Sequence, residues 1–124
     1  MDFEKSTNVV IITPLPEEHD VFMELMPSIG DLSGNTRVAS AHSSGLADYN
    51  IVSILPVGMG QDDAHDAAQE AIERFNPDMI ICVGIGGGLD GDLKIGDIAV
   101  SQEVVDISQN MKVAEGKKNT GSRL

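Results

Sequence analysis

An α/β fold with a mixed, mainly parallel sheet flanked by helices is predicted by three features of the sequence. Two β-branched blocks, Asn8 to Thr13 and Met79-Ile-Ile-Cys-Val83, run without polar alternation, as strands covered on both faces do in a parallel sheet. An amphipathic helical pattern separates them. Glycine-rich turns directly follow strand candidates at 58–60 and 84–88.

Along the chain, the first block is broken by Pro14-Leu-Pro16, and Glu17, Glu18 and Asp20 follow in a first helical turn. Proline near a helix start and acids at its positive end are both favoured. Val21, Phe22, Leu25 and Met26 continue a helical stripe that Met26-Pro27 stops. Residues 28–35 are rich in turn formers, and Arg37 to His42 and Tyr49 to Val57 read as two strands. The helix from about Asp62 to Phe75 puts Ala64, Ala67, Ala68, Ala71, Ile72 and Phe75 on one face, and Asn76-Pro-Asp78 ends it. After the second block, Lys94-Ile-Gly-Asp97 leads into a strand candidate at 98–105. Residues 112–124 hold four of the eight basic residues without periodicity, a basic loop or frayed tail.

Composition removes several function classes. The 124 residues carry 8 basic and 20 acidic side chains, a net charge of −12, which repels nucleic-acid backbones and anionic membrane surfaces. With 41% hydrophobic residues the chain has enough apolar material for a core, and one domain is expected at this length. Cys82 is the lone cysteine, which excludes an internal disulfide and suits a reducing cytoplasm. The amino terminus lacks the pattern of a signal peptide, and no apolar run approaches the roughly 20 residues of a membrane span.

Neither glycine turn completes a G-x-G-x-x-G fingerprint: the third place holds Asp63 after the first pair and Leu89 after the second. No Walker-type Gly-Lys-Ser/Thr follows either, so a nicotinamide or P-loop enzyme is not indicated. Glycines at 84 and 86–88 either allow tight packing or leave a bare backbone against which a flat ligand lies. Glu17 and Glu18 follow the first strand, where α/β site residues cluster, although acids there also stabilise a helix start. His19, His42 and His65 show no metal-ligand spacing, and Cys82 reads as an inert thiol inside an apolar strand.

Four segments occur in order: Ile-Ile-Thr-Pro-Leu-Pro-Glu-Glu at 11–18, Pro-Val-Gly-Met-Gly at 56–60, Asn-Pro-Asp-Met-Ile-Ile-Cys-Val-Gly-Ile-Gly-Gly-Gly-Leu at 76–89, and Leu-Lys-Ile-Gly-Asp-Ile-Ala-Val-Ser at 93–101. Over residues 8–106 this succession resembles the amino-terminal half of the nucleoside phosphorylase and nucleosidase superfamily. Its nearest likeness is to the methylthioadenosine/S-adenosylhomocysteine nucleosidases and related domains of bacterial defence and signalling proteins. The resemblance implies a phosphorylase/hydrolase-like fold, with residues 1–111 as the amino-terminal half of the domain. It implies a nucleoside or nucleotide ligand, no cofactor or metal, and a homo-oligomer.

By the same resemblance Glu18 orients the attacking water, and Met59 with Gly60 contacts the ribose. Ile85, Gly86 and Gly87 form the turn beside base and sugar, and Arg37 matches an arginine that reaches a neighbouring subunit's site. Phosphorylases carry an arginine where Cys82 stands, and the family's serine or threonine is replaced by Ile85. A thiol and an alkyl group cannot hold a phosphate dianion as an arginine fork does, which favours hydrolysis of the N-glycosidic bond over phosphorolysis. In the family the ribose-gripping Met-Glu pair and the acid that protonates the base lie in the carboxyl-terminal half. The alternatives are a non-catalytic nucleotide-sensing or interaction domain and a phosphate-dependent phosphorylase.

Overall fold

The β-branched block at the amino end forms β1 (Thr7–Ile12), the strand around which a five-stranded sheet is assembled. The computed structural model describes residues 2–4, 6–34, 38–43, 45, 49–58 and 60–105. After β1 come α1 (Pro16–Leu25), β2 (Ser28–Asp31), β3 (Val38–His42), β4 (Tyr49–Leu55), α2 (Gln61–Phe75) and β5 (Met79–Cys82). The sheet order is β2-β3-β4-β1-β5. β1 pairs in parallel with β4, from Thr7 opposite Tyr49 to Ile12 opposite Ile54, and with β5, from Val9 opposite Met79 to Ile12 opposite Cys82. β3 runs antiparallel to β4 and to β2, so the sheet is mixed, as the sequence predicts.

The chain divides into two units, residues 1–86 and 87–124. In the first, Val10 and Ile12 of β1, Val52 and Ile54 of β4 and Ala39 of β3 form one face, on which α2 lays Ala67, Ala71 and Phe75. Alanines let the helix approach closely, and burying Phe75 contributes about 1.5–3 kcal/mol. At the opposite end of the strands Asn8 is a buried junction. Its backbone N–H donates to Asp78 Oδ2 at 2.7 Å, and its side-chain amide donates to the carbonyls of Phe3 (2.7 Å) and Asn76 (3.0 Å). Asn50 donates to Asn8 Oδ1 at 2.9 Å, so β1, β4 and the α2–β5 turn share one polar knot.

The structure departs from the sequence reading in four places. Residues 28–31, rich in turn formers, make β2, because the free edge of β3 recruits them into a ladder; the register shifts between Ser28 and Gly30. β5 is an edge strand whose four residues are all exposed, not covered on both faces: among the described residues it pairs only with β1, and pairing closes an edge whereas only a packed helix layer covers a face. Val21 and Leu25 of the α1 stripe stand 56% and 78% exposed, and the buried residue of that helix is His19. Residues 98–104 form no strand, and Val105 makes only an isolated bridge; a β-branched run becomes a strand only when another backbone edge supplies its partners.

In the second unit two turns shape the described residues. Leu93 N–H donates to Asp90 O at 3.1 Å and Asp97 N–H to Lys94 O at 3.0 Å. Gly96, at φ +95°, supplies the positive φ that a type II turn requires at its third residue. Residues 112–124 lie outside the described residues. No described helix is long and apolar enough to cross a membrane.

Candidate functional site

Because β4, β1 and β5 are parallel neighbours, the loops that follow them leave the same end of the sheet. Ligands of open α/β sheets bind outside the carboxyl ends of the strands, so the segments after Ile12, Leu55 and Cys82 are the candidate site. Glu18 stands at the centre of this arrangement. Pro16 opens α1, with its fixed φ suited to the first turn, and Leu15 precedes it in extended conformation. Leu15 has no side-chain acceptor, so only half of a capping box forms: its N–H donates to Glu18 Oε2 at 3.0 Å.

The other carboxylate oxygen reaches across to the loop after β5. Ile85 N–H donates to Glu18 Oε1 at 2.9 Å. The register delivers that amide, since Val83 N–H donates to Ile12 O at 2.9 Å and prolongs the β1–β5 ladder to the loop. Gly84 permits the approach: a Cβ there would lie 3.1 Å from Glu18 Oε1 and 3.4 Å from its carboxyl carbon. One carboxylate is thus aimed by two backbone donors on separate loops. An ionised carboxylate accepts about four hydrogen bonds, so lone pairs remain to orient a water.

Beside Glu18 a cleft of about 310 Å³ opens between α1 and the segment after β5, walled by Val21, Phe22, Leu25, Val83 and Ile85. Cys82 ends β5 at the exposed edge instead of in the core. Partial desolvation first, and the Glu18 charge second, push its thiol above the ordinary value, so it is a neutral group at neutral pH. No group of three or more His, Cys, Asp or Glu that could hold a metal ion occurs among the described residues.

Of the residues singled out in the sequence, the structure joins Glu18 and Ile85 directly. Gly60 precedes α2 at φ +110°, a backbone that side chains rarely adopt, and a Cβ on Gly58 would lie 2.8 Å from Asp63 Oδ2. A Cβ on Gly86 would meet nothing within 4 Å, so packing does not demand glycine there. Gly87 opens the second unit. Met59 and Arg37 lie outside the described residues. Sequence reasoning missed the Leu15 amide, because any residue can supply a backbone donor. It also missed the polar side chains beneath α1: Thr13, His19, His42 and Ser53 are all buried.

A family model described as the phosphorylase superfamily matches residues 8–121. The 5′-methylthioadenosine/S-adenosylhomocysteine nucleosidase of Anoxybacillus flavithermus is 34% identical over 98 residues, covering 79% of this chain and 41% of that protein. The protein of the same description from Halalkalibacterium halodurans is 32% identical over 99 residues, again 79% of this chain and 41% of the relative. Among solved structures, the 5′-methylthioadenosine/S-adenosylhomocysteine nucleosidase of Neisseria meningitidis, in complex with methylthio-immucillin-A, superimposes with a TM-score of 0.71 at 26% identity. That match covers 94% of this chain and 51% of the other. The chain therefore spans about half or less of the length of these relatives.

Proposed function

Since the chain belongs to the phosphorylase superfamily, we propose that it contributes the water-holding part of a nucleosidase site, hydrolysing the N-glycosidic bond of a purine nucleoside or nucleotide. One observation carries this reading: both oxygens of Glu18 are held by backbone donors, from Leu15 and Ile85, at the carboxyl ends of β1 and β5.

Cleavage of such a bond passes through an oxocarbenium-like sugar, which needs a water on one face and a protonated leaving base on the other. A water held by Glu18 attacks the anomeric carbon, its proton passing to the carboxylate as the C–N bond breaks. The electron pair of that bond leaves with the base, whose proton comes from a second acid on the opposite face. Met59 and Gly60 would lie under the ribose and Gly86 beside the base. Arg37 would reach across to a neighbouring subunit. Neutral Cys82 and the alkyl side chain of Ile85 favour water over phosphate as the acceptor, because neither supplies the charge-assisted bonds a phosphate dianion requires.

The same two residues give a second reading some support, that of a domain that binds nucleosides or nucleotides without cleaving them. Chromatographic detection of free base from a nucleoside and nucleotide panel, with and without phosphate, separates the readings. Phosphate-independent base release supports the hydrolase. Stabilisation by ligand without product supports the binding domain, and strict phosphate dependence supports a phosphorylase.

A further inference from the structure

The sheet face beneath α1 buries several polar side chains beside Ile11. Thr13, His42 and Ser53 are buried there, and His19 of α1 joins them. α1 has ten residues, too few for a helix to be stable in water on propensity alone. Val21 and Leu25 of its apolar stripe are exposed and Phe22 is only half-buried, so apolar burial holds it weakly. Besides the Glu18–Ile85 hydrogen bond, what attaches it is a pair of buried imidazoles, one at each end.

At the amino end, His19 Nδ1 lies 2.9 Å from Thr13 Oγ1, on the residue that follows β1. The backbone N–H of His19 donates to Leu15 O at 3.0 Å, closing the first turn. Leu15 is the residue whose own N–H holds Glu18 Oε2. The ring contact, the first helical bond and the carboxylate contact therefore form one small assembly around Leu15.

At the carboxyl end, His42 Nδ1 lies 2.6 Å from the carbonyl of Met26, a group that has no partner within the helix. A carbonyl can only accept, so His42 Nδ1 carries the proton. In the neutral ring Nε2 then accepts from Ser53 Oγ at 2.7 Å. The edge of this imidazole meets Phe22 of α1, with centroids 5.1 Å apart at 85°. β3 and β4 thereby hold the far end of the helix, and the His19–Thr13 contact ties its first turn to the end of β1.

We infer that His19 is a positioning residue for Glu18: bonded to Thr13, it fixes the rotation of the first turn of α1 and so aims the Glu18 carboxylate at the Ile85 amide. A side chain without a polar atom at 19 would leave Thr13 Oγ1 without its nearest partner and free the turn to rotate, taking Glu18 with it. The consequence for catalysis rests on the reading of Glu18 as the water-holding group; the consequence for the Glu18–Ile85 hydrogen bond does not.

The test measures both. In the 124-residue chain the Ile85 amide is followed by proton–nitrogen NMR, with Glu18→Ala marking its position without the carboxylate. His19→Leu is expected to move that resonance at least half way to the Glu18→Ala position. His19→Asn, whose Oδ1 stands near the place of Nδ1, is expected to restore it. Thr13→Val removes the other partner of the same contact and is expected to act as His19→Leu does, which keeps the test decisive if the leucine variant does not fold. An Ile85 resonance unmoved in His19→Leu or Thr13→Val overturns the inference, and so does failure of His19→Asn to restore it. Base release by the same proteins is the second readout: kcat is expected to fall by roughly tenfold to a hundredfold with KM nearly constant, the signature of a misplaced group. No base release from the unsubstituted chain would overturn the catalytic reading while leaving the Ile85 result to decide the positioning role.

Discussion

The Glu18 carboxylate and the Ile85 backbone amide, 67 positions apart in sequence, meet in a 2.9 Å hydrogen bond that ties the start of α1 to the loop after β5. The β1–β5 register brings the amide to the carboxylate, and the second oxygen is fixed by Leu15. Candidate chemistry thus depends on backbone geometry at the ends of two parallel strands.

Gly84→Ala tests that dependence. Its Cβ would stand 3.1 Å from Glu18 Oε1, so the carboxylate must withdraw and the Ile85 bond must lengthen. Base release is expected to fall at least about tenfold, since small displacements of an aligned group cost up to roughly a hundredfold. Gly86→Ala, whose Cβ enters open space, is expected to leave the stability of the chain within about 0.5 kcal/mol, as checked by thermal melting.

Asn8→Ala tests the polar knot at the other end of the sheet. The substitution removes the donor to Phe3 and Asn76 and the acceptor for Asn50, leaving buried groups unpaired. A loss of about 1–3 kcal/mol per unsatisfied buried group is expected in urea denaturation. An unchanged midpoint would show that these contacts do not hold the strand register.

The imidazole of His19 gives stability a pH dependence of defined sign. Burial pushes its pKa below the ordinary 6.5; Asp20 opposes this and His42 reinforces it. As pH falls through about 6.5 the unfolded chain takes up its proton before the folded one, so stability declines from there toward the lower folded value and then levels off. The melting temperature is expected to drop between pH 7.5 and 5.5, with a shallower slope in His19→Asn. Equal slopes in the two proteins would remove His19 as the titrating group.

Much of this arrangement was legible in the sequence. The blocks at 8–13 and 79–83 became β1 and β5, the alanine face became the contact of α2, and Asn76, at φ 46°, closes that helix as the Asn-Pro-Asp signal predicts. Position alone did not separate Glu18 from an ordinary helix-start acid such as Glu17; the family resemblance singled it out. Local pattern did not reveal pairing: β2 exists through the edge of β3, and among the described residues 98–104 is not part of a ladder. Nor did it show that α1 rests on histidines, because His19 and His42 acquire their roles only when Thr13, Met26 and Ser53 arrive from elsewhere in the chain.

The most direct measurement is base release by the unsubstituted chain and by Glu18→Gln, without phosphate, alongside ligand binding by calorimetry. Glutamine keeps the shape of Glu18 and the acceptor for one backbone amide but cannot take a proton from water. The expected result is phosphate-independent release from the unsubstituted chain, reduced at least about a hundredfold in Glu18→Gln with affinity within a few fold. Equal release from both proteins would contradict the role assigned to Glu18.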